Sequence, residues 1–252
     1  MKRIVQTIRS FNWRLWLVLA VTLFIPALYQ TLRLSLLGNL PDAWGVNIAS
    51  QLGWVNLLYE ILQEGLILPL YFLLGKASGS KEELEKNAKA GFLFSGGAYL
   101  LLSLLIVLFA RPLCVGMASD PATLEATVSY IRWESLASAI GILSQFILVL
   151  LVTMERERYM YLLLFVRTAL TMLLDTLFLS ELPCSLRLGV NGIAYSNILV
   201  NAFCVAAALG FLKKEGFRLF RRGKLDTTWL REYGRIGLYW GWSPLFGTSP
   251  SC

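Results

Sequence analysis

The sequence predicts an all-α polytopic membrane protein built as one bundle of six transmembrane helices. Six apolar segments are each long enough to cross a bilayer, 56% of the residues are hydrophobic and only 15% are charged. An average soluble domain has about 25% charged residues. Because a spanning helix needs about 20 mostly apolar residues, and because lipid offers no partners for backbone polar groups, each segment is predicted to be helical. The segments lie at 15–37, 51–74, 90–110, 134–154, 159–180 and 190–212.

These segments divide the chain into three parts. Residues 1–14 are predicted to be a cytoplasmic N-terminus, and residues 15–212 the six-helix transmembrane bundle. Residues 213–252 are predicted to be a basic cytoplasmic loop followed by the start of a seventh helix that stops early. Six spans and short loops use most of the 252 residues, so no separate soluble domain is predicted.

The distribution of basic residues predicts the orientation. Lys and Arg concentrate in the cytoplasmic loops of membrane proteins. Most of the 23 basic residues precede the first segment, follow the sixth, or lie in the second and fourth connections. Both termini are therefore predicted to be cytoplasmic, in a multi-pass protein of the plasma membrane. The net charge of +7 is attributed to this topology and not to nucleic-acid binding. A specific site for anionic lipid or nucleic acid in the basic run after the sixth segment is the alternative.

Chemistry at histidine or cysteine is not indicated. The chain has no histidine, which excludes imidazole catalysis and histidine-ligated metals. Its cysteines, Cys114, Cys184, Cys204 and Cys252, lack metal-site spacing, and a disulfide between the first two stays open. No nucleophile, metal or phosphate motif is visible, so the protein is predicted not to be an enzyme and to need no cofactor.

The second segment carries the first candidate site, at Glu60, Gln63 and Glu64. These positions are spaced to share one helical face. Charged side chains inside a membrane are costly and are functional candidates for that reason. Two carboxylates facing a cavity could bind a cation or hold a proton. The alternative is that both are protonated or paired and only fix the packing of helices.

The other segments supply further polar candidates. Arg33 and Asp175 lie at similar depths below the outer ends of their segments, so a charge pair is predicted, with Arg33 reaching to the headgroups as the alternative. Arg167 is a second charged position in the fifth segment. Asn197 and Asn201 share a face of the sixth segment and are candidates for ion binding or interhelical hydrogen bonds. A further residue, Pro26, is predicted to bend the first helix.

Four stretches of sequence carry a resemblance to a known family. They read IPALYQTLRLSLLGNL, EGLILPLYFLLGKASGSKEELEKNAKAG, TMLLDTLFL and LGVNGIAYSNIL, and WLREYGRIGL is similar to the approach to a seventh helix. Together they resemble the N-terminal half of a transporter of the multidrug and toxic compound extrusion (MATE) family, over about residues 15–238. The resemblance implies two six-helix bundles around a central cavity, and drug efflux driven by Na⁺ or H⁺.

The resemblance also assigns positions. The family's aspartate in the fifth helix falls on Asp175, its partner asparagine on Thr171, and its polar position in the sixth helix on Asn197. Its acid in the first helix falls on Arg33, whose guanidinium can neither bind a cation nor release a proton near neutral pH. Glu60 and Glu64 are therefore hypothesised to replace that acid, and Glu64→Gln is expected to abolish ion-driven transport.

The predicted function is secondary active antiport that exports organic and xenobiotic compounds, often cationic, across the cell membrane. A family member has about twelve helices, so this chain is expected to be a truncated copy. Its expected partners are the bilayer, small organic substrates, and either the missing C-terminal bundle or a second copy. Two alternatives stay open. One is a lipid-linked oligosaccharide flippase, in which Arg33 and Arg167 would hold phosphates. The other is a non-transporting membrane fragment.

Overall fold

Five long α-helices make up most of the described chain. The structure is a computed structural model that describes residues 24, 28–29, 31–33, 35, 45–117, 120–180, 183, 185–219, 229 and 231–237. The helices are α1 (Gly45–Ala77), α2 (Lys81–Gly116), α3 (Leu124–Thr153), α4 (Glu157–Leu179) and α5 (Asn191–Lys214). They correspond to the second to sixth predicted segments. The described residues of the first segment are also helical, and no strand occurs in the described ranges, which confirms the all-α class.

All five helices are long and apolar enough to cross a membrane. Large apolar side chains stay exposed on them, as at Leu108 (62% exposed) and Phe165 (69% exposed), which is typical of a surface in contact with lipid. The 36 residues of α2 span about 54 Å, well beyond the hydrocarbon core. Its first turns are formed by the charged residues that follow Ser80. Most of the connection predicted between residues 74 and 90 is therefore helical. The chain is a multi-pass membrane protein.

The helix ends follow local sequence signals. Glu82 and Glu83 lie in the first turn of α2, where negative charge suits the helix dipole. The end of α5 is a Schellman motif: the Phe217 N–H donates to the Leu212 carbonyl at 2.9 Å, and the Gly216 N–H donates to the Lys213 carbonyl at 3.0 Å. Gly216 has φ +66°, a conformation that glycine adopts without strain. It turns the chain back under the bundle.

The centre of the bundle is α3, which contacts each of the other four helices. Its most extensive contact is with α5, and Gly141 lies in that contact. A Cβ added at Gly141 would lie 2.9 Å from the Asn201 Nδ2 atom. That amide donates a 2.9 Å hydrogen bond to the Ala137 carbonyl, as polar side chains do between membrane helices. These contacts place the polar face of α5 directly against α3.

Residues 231–237 form a short helix that packs on α1. The Tyr233 side chain is fully buried, and its hydroxyl donates to the Leu66 carbonyl. Gly237 lies against the backbone of Gly65, leaving no space for a side chain at that position. The predicted approach to a seventh helix is therefore helical over this stretch.

Several predictions lie outside the described residues. These are the N-terminal segment 1–14, the kink at Pro26, the end of the chain from residue 238, and two cysteines, Cys184 and Cys252. The other two cysteines, Cys114 and Cys204, are buried in the bundle. The predicted domain boundaries stay predictions.

Candidate functional site

An ion pair between Arg33 and Asp175 forms the first part of the candidate site. The Arg33 Nε atom lies 2.7 Å from Asp175 Oδ2, and Arg33 Nη2 donates to Asp175 Oδ1 at 3.2 Å. The Asp175 side chain is completely buried, and 17% of the Arg33 side chain is exposed. The pair predicted from the sequence is therefore present in the structure, near the end of α4. The guanidinium thus supplies a positive charge directly beside the buried carboxyl group.

Tyr29 completes the surroundings of Asp175. It lies one helical turn before Arg33, and its hydroxyl donates to the Asp175 carboxylate and lies 3.3 Å from the Thr171 carbonyl oxygen. The Thr171 hydroxyl donates to the Arg167 carbonyl at 2.8 Å, within its own helix. Both oxygens of Asp175 therefore contact residues of the first segment. The Arg33 guanidinium lies directly beside them.

Two successive hydrogen bonds connect this ion pair to a second carboxylate. Arg33 Nη2 donates to Asn197 Oδ1 at 2.9 Å, and Asn197 Nδ2 donates to Glu134 Oε1 at 2.7 Å. Asn197 on α5 thus bridges a cation of the first segment and an anion of α3. The other oxygen of Glu134, Oε2, is buried and has no hydrogen-bond partner in the described part of the chain. Glu134 is the acidic residue of the site with a vacant acceptor.

Sequence reasoning missed Glu134. The fourth predicted segment begins at residue 134, which puts this acid at the membrane boundary. In the structure α3 begins at Leu124, so Glu134 lies ten residues, or about 15 Å, inside the helix. A signal existed: the preceding residues 124–133 carry only two charges and continue the helical pattern. Extending the segment toward its N-terminus would have brought this acid into the membrane.

A polar cavity of about 430 Å³ lies inside the bundle. Along α3 its lining extends from Tyr130 to Gln145, about 22 Å by helical rise. The rings of Tyr59 and Tyr99 stack with their centroids 5.9 Å apart on one wall. The lining combines charges, amides and tyrosines: Arg33, Asn56, Tyr59, Gln63, Tyr99, Tyr130, Glu134, Gln145, Arg167, Asn197 and Asn201. Such a cavity suits an organic molecule with both polar and apolar parts.

The α1 acids lie outside this lining. α1 contributes Leu52, Asn56, Tyr59 and Gln63 to the cavity, a stripe with helical spacing. Glu60 and Glu64 follow the last two of these by one residue each, which turns them about 100° around the helix. Glu60 is exposed and Glu64 is half-buried. The prediction that all three polar residues face one cavity is therefore corrected: only Gln63 lines this one.

Arg167 of α4 faces both this cavity and a smaller one of about 220 Å³ beside the ion pair. The smaller cavity is lined by Tyr29, Arg33, Thr168, Thr171 and Asn201, among others. The predicted charge-pair candidate Arg167 forms no ion pair with any acidic side chain of the described ranges. The structure therefore separates the two arginines: Arg33 is neutralised by Asp175, and Arg167 is not.

Comparison with known proteins shows a likeness of fold. No protein-family model matches the chain, and no curated protein matches it significantly. A MATE transporter crystallised in complex with MaD3S superposes with a TM-score of 0.79 at 16% identity, covering 91% of this chain and 52% of that chain. A mutant of the Vibrio cholerae MATE transporter VcmN also reaches 0.79, at 17% identity, covering 90% and 50%. The bent form of VcmN gives 0.79 at 15% identity, covering 93% and 53%.

The chain spans about half the length of these transporters. The match extends over nearly all of this chain, so a single half of each transporter accounts for the likeness. The chain thus has the all-helical fold of a MATE half-transporter bundle, consistent with an N-terminal half.

Proposed function

We propose that this chain is one bundle of a secondary active antiporter that exports organic compounds, including xenobiotics, across the cell membrane. A gradient of Na⁺ or H⁺ drives the export. The observation that supports this function best is the polar cavity of about 430 Å³, which is lined by helices arranged in the fold of MATE transporters. The protein acts as a transporter and not as an enzyme.

The coupling ion binds at Glu134 in this proposal. Asp175 already holds the permanent cation of Arg33, so a second cation there would meet like-charge repulsion. Glu134 lines the cavity and keeps one oxygen without a partner among the described residues. A proton or Na⁺ on the vacant Oε2 would reduce the negative charge of Glu134 and weaken the hydrogen bond that Asn197 donates to Oε1, and Asn197 also accepts from Arg33. Ion binding would thereby be transmitted to the contact between the first segment and α4.

The cavity also needs a second wall to form a closed transport pathway. A C-terminal bundle or a second copy of this chain supplies it in the proposal, and the bilayer surrounds both. In this proposal both termini are cytoplasmic, because the distribution of basic residues in the sequence favours that orientation.

Gradient-driven uptake into inside-out membrane vesicles tests the proposal. Vesicles containing the chain are energised with a Na⁺ or H⁺ gradient, and entry of ethidium or carboxyfluorescein is followed. The expected result is uptake above empty vesicles, abolished by Glu134→Gln and retained in Glu60→Gln and Glu64→Gln. Loss in Glu64→Gln with uptake retained in Glu134→Gln would place coupling on α1, as hypothesised from the sequence. Absence of gradient-driven uptake of either dye would contradict antiport by this chain alone or with a second copy, and the same result in vesicles that also contain a C-terminal bundle would contradict antiport altogether.

A lipid-linked oligosaccharide flippase is the second candidate function. The observation that favours it is Arg167, a cation in the cavity wall with no acidic partner in the described ranges. A flippase cavity must hold phosphate, for which a guanidinium fork is well suited. Flipping of a fluorescent lipid-linked sugar in proteoliposomes without any ion gradient would distinguish this function from antiport.

A further inference from the structure

Arg167 carries a permanent charge inside the bundle. It is the eleventh residue of α4, about 15 Å from the start of that helix at Glu157. Arginine stays protonated at any physiological pH, and a charge at this depth is costly unless it is compensated. Its side chain is half-buried and faces both cavities. The charge therefore calls for a compensating group within reach of these cavities.

Among the described residues, no acid of the membrane segments pairs with Arg167. Asp175 is engaged by Arg33 and Tyr29, and Glu134 accepts its hydrogen bond from Asn197. The first segment, residues 15–37, contains no acidic residue at all. The acids of α1, Glu60 and Glu64, lie outside the lining of the cavity that Arg167 faces.

Apart from Glu134, the polar side chains that line the cavity of Arg167 can donate hydrogen bonds to an anion. Gln63 and Gln145 line the same cavity, and their amide groups can donate hydrogen bonds. Leu52, Ile142 and the tyrosines supply apolar and aromatic surface nearby. A guanidinium fork with amide donors recognises the oxygens of phosphate, carboxylate or sulfonate, and the apolar surface suits a hydrocarbon part.

We infer that Arg167 binds the anionic group of the molecule that enters this cavity, and that this molecule is an amphiphile with an anionic head. The inference rests on the proposed function only in taking the cavity as the substrate site. It revises the expectation from family resemblance, in which the substrates are often cationic. An anionic amphiphile would supply the counter-charge that Arg167 lacks among the described residues.

Equilibrium binding to the chain in phosphatidylcholine nanodiscs tests the inference without any ion gradient. The probes are n-octyl phosphate and its cationic counterpart n-octyltrimethylammonium. Wild type is expected to bind octyl phosphate in preference to the cation. Arg167→Gln should weaken octyl phosphate binding by about 10- to 100-fold, the range for a hydrogen bond to a charged group. Arg167→Lys should lie between the two, since it keeps the charge and loses the fork.

Arg235→Gln is the matched control, because Arg235 is exposed and lies outside the five candidate spans. Its octyl phosphate binding should equal that of wild type. Competition with inorganic phosphate at equal concentration tests the need for the hydrocarbon part. No displacement means that the hydrocarbon part contributes and supports the inference. Full displacement means that a soluble anion suffices, which would overturn the assignment to an amphiphile.

Equal octyl phosphate binding by wild type and Arg167→Gln would overturn it. So would a preference of wild type for octyltrimethylammonium that Arg167→Gln leaves unchanged; this second outcome would leave export of cations standing. Conversely, anion binding that depends on Arg167, without gradient-driven transport, would contradict the proposed function alone.

Discussion

Arg33 and Asp175, which are 142 positions apart in the sequence, form a buried ion pair that ties the first segment to α4. Two nitrogens of one guanidinium lie 2.7 and 3.2 Å from the two carboxylate oxygens. Tyr29 donates to the same carboxylate, and Asn197 accepts from the same guanidinium. The pair is therefore the junction of three helical elements, and its loss should loosen the bundle.

We expect Arg33→Gln to destabilise the protein by about 3 kcal/mol, because it leaves the buried Asp175 carboxylate without its counter-charge. The double variant Arg33→Gln/Asp175→Asn should recover much of that loss, since it removes both charges together. Thermal unfolding in detergent, followed by size-exclusion chromatography with fluorescence detection, ranks the stabilities of wild type, Arg33→Gln and the double variant.

Arg167→Gln is the matched comparison for this pair. It removes an arginine that has no acidic partner among the described residues, so its midpoint temperature should equal or exceed that of wild type. A loss of stability as large as that of Arg33→Gln would show that Arg167 has a structural counter-charge after all.

A second prediction concerns the contact of α3 with α5. In Gly141→Ala, the new methyl group would lie 2.9 Å from the Asn201 amide nitrogen, too close for an unstrained contact. The Asn201 side chain would have to move and would weaken its hydrogen bond to the Ala137 carbonyl. A destabilisation of about 1–3 kcal/mol is expected, as for other overpacked sites.

Gly97→Ala is the control for that experiment. Gly97 lies in α2, and apart from its sequence neighbours and the backbone of its own helix, no atom of the described residues lies within 4 Å of the place that an alanine methyl group would occupy. Alanine should therefore stabilise the helix by up to about 1 kcal/mol. If both alanine variants raised the unfolding temperature, the tight contact between α3 and α5 would not constrain the bundle.

The helices were predictable because bilayer thickness imposes a length on each apolar run, and five of the six runs reappear as α1 to α5. The pair of Arg33 with Asp175 was predictable from depth alone, because both residues lie near the same membrane boundary. Hydrophobicity does not report how far a helix continues into its polar flanks. That is why hydrophobicity did not reveal Glu134 as a buried acid, and why it placed the start of the third segment at residue 90 although α2 begins at Lys81.

The sequence also did not predict which side chains of α1 point toward the cavity. Glu60, Gln63 and Glu64 fall within one helical face, but a cavity wall is narrower than a face. Which side of α1 meets the cavity depends on its packing against α2 and α3. Periodicity in a helix that is apolar on most sides does not fix that rotation.

A third prediction concerns pH and the turn between α3 and α4. Glu215 accepts from the Tyr159 hydroxyl at 3.0 Å and from Arg156 Nε at 2.8 Å. The hydrogen bond from Tyr159, with Arg156 second, lowers the pKa of Glu215 below its ordinary value of 4.5. A lowered folded-state pKa means that the stabilisation is fully present above the unfolded-state value and is lost as the pH falls through the folded-state value.

Wild type should therefore unfold at a higher temperature than Glu215→Gln at pH 7, and the gap should narrow as the pH falls below about 4.5. Glu232→Gln is the control, because Glu232 pairs with Lys76 at an exposed site where ion pairs contribute little. A gap between wild type and Glu215→Gln that stayed constant down to pH 3 would contradict the role given to the ionised carboxylate.

The last prediction concerns the docking of residues 231–237 on α1. Gly237 lies so close to the Gly65 carbonyl oxygen that any side chain at residue 237 would collide with backbone, which cannot move aside as a flexible side chain can. Gly237→Ala should therefore lift this short helix from α1 and expose Tyr233, which is otherwise fully buried. Gly234, three positions earlier, has open space around its missing Cβ, so Gly234→Ala should leave the docking intact. Limited proteolysis after Arg231 and Arg235 reads out the difference: faster cleavage in Gly237→Ala alone is expected. Equal cleavage rates in both variants would mean that the helix is held by Trp229 and Tyr233 packing without the glycine contact.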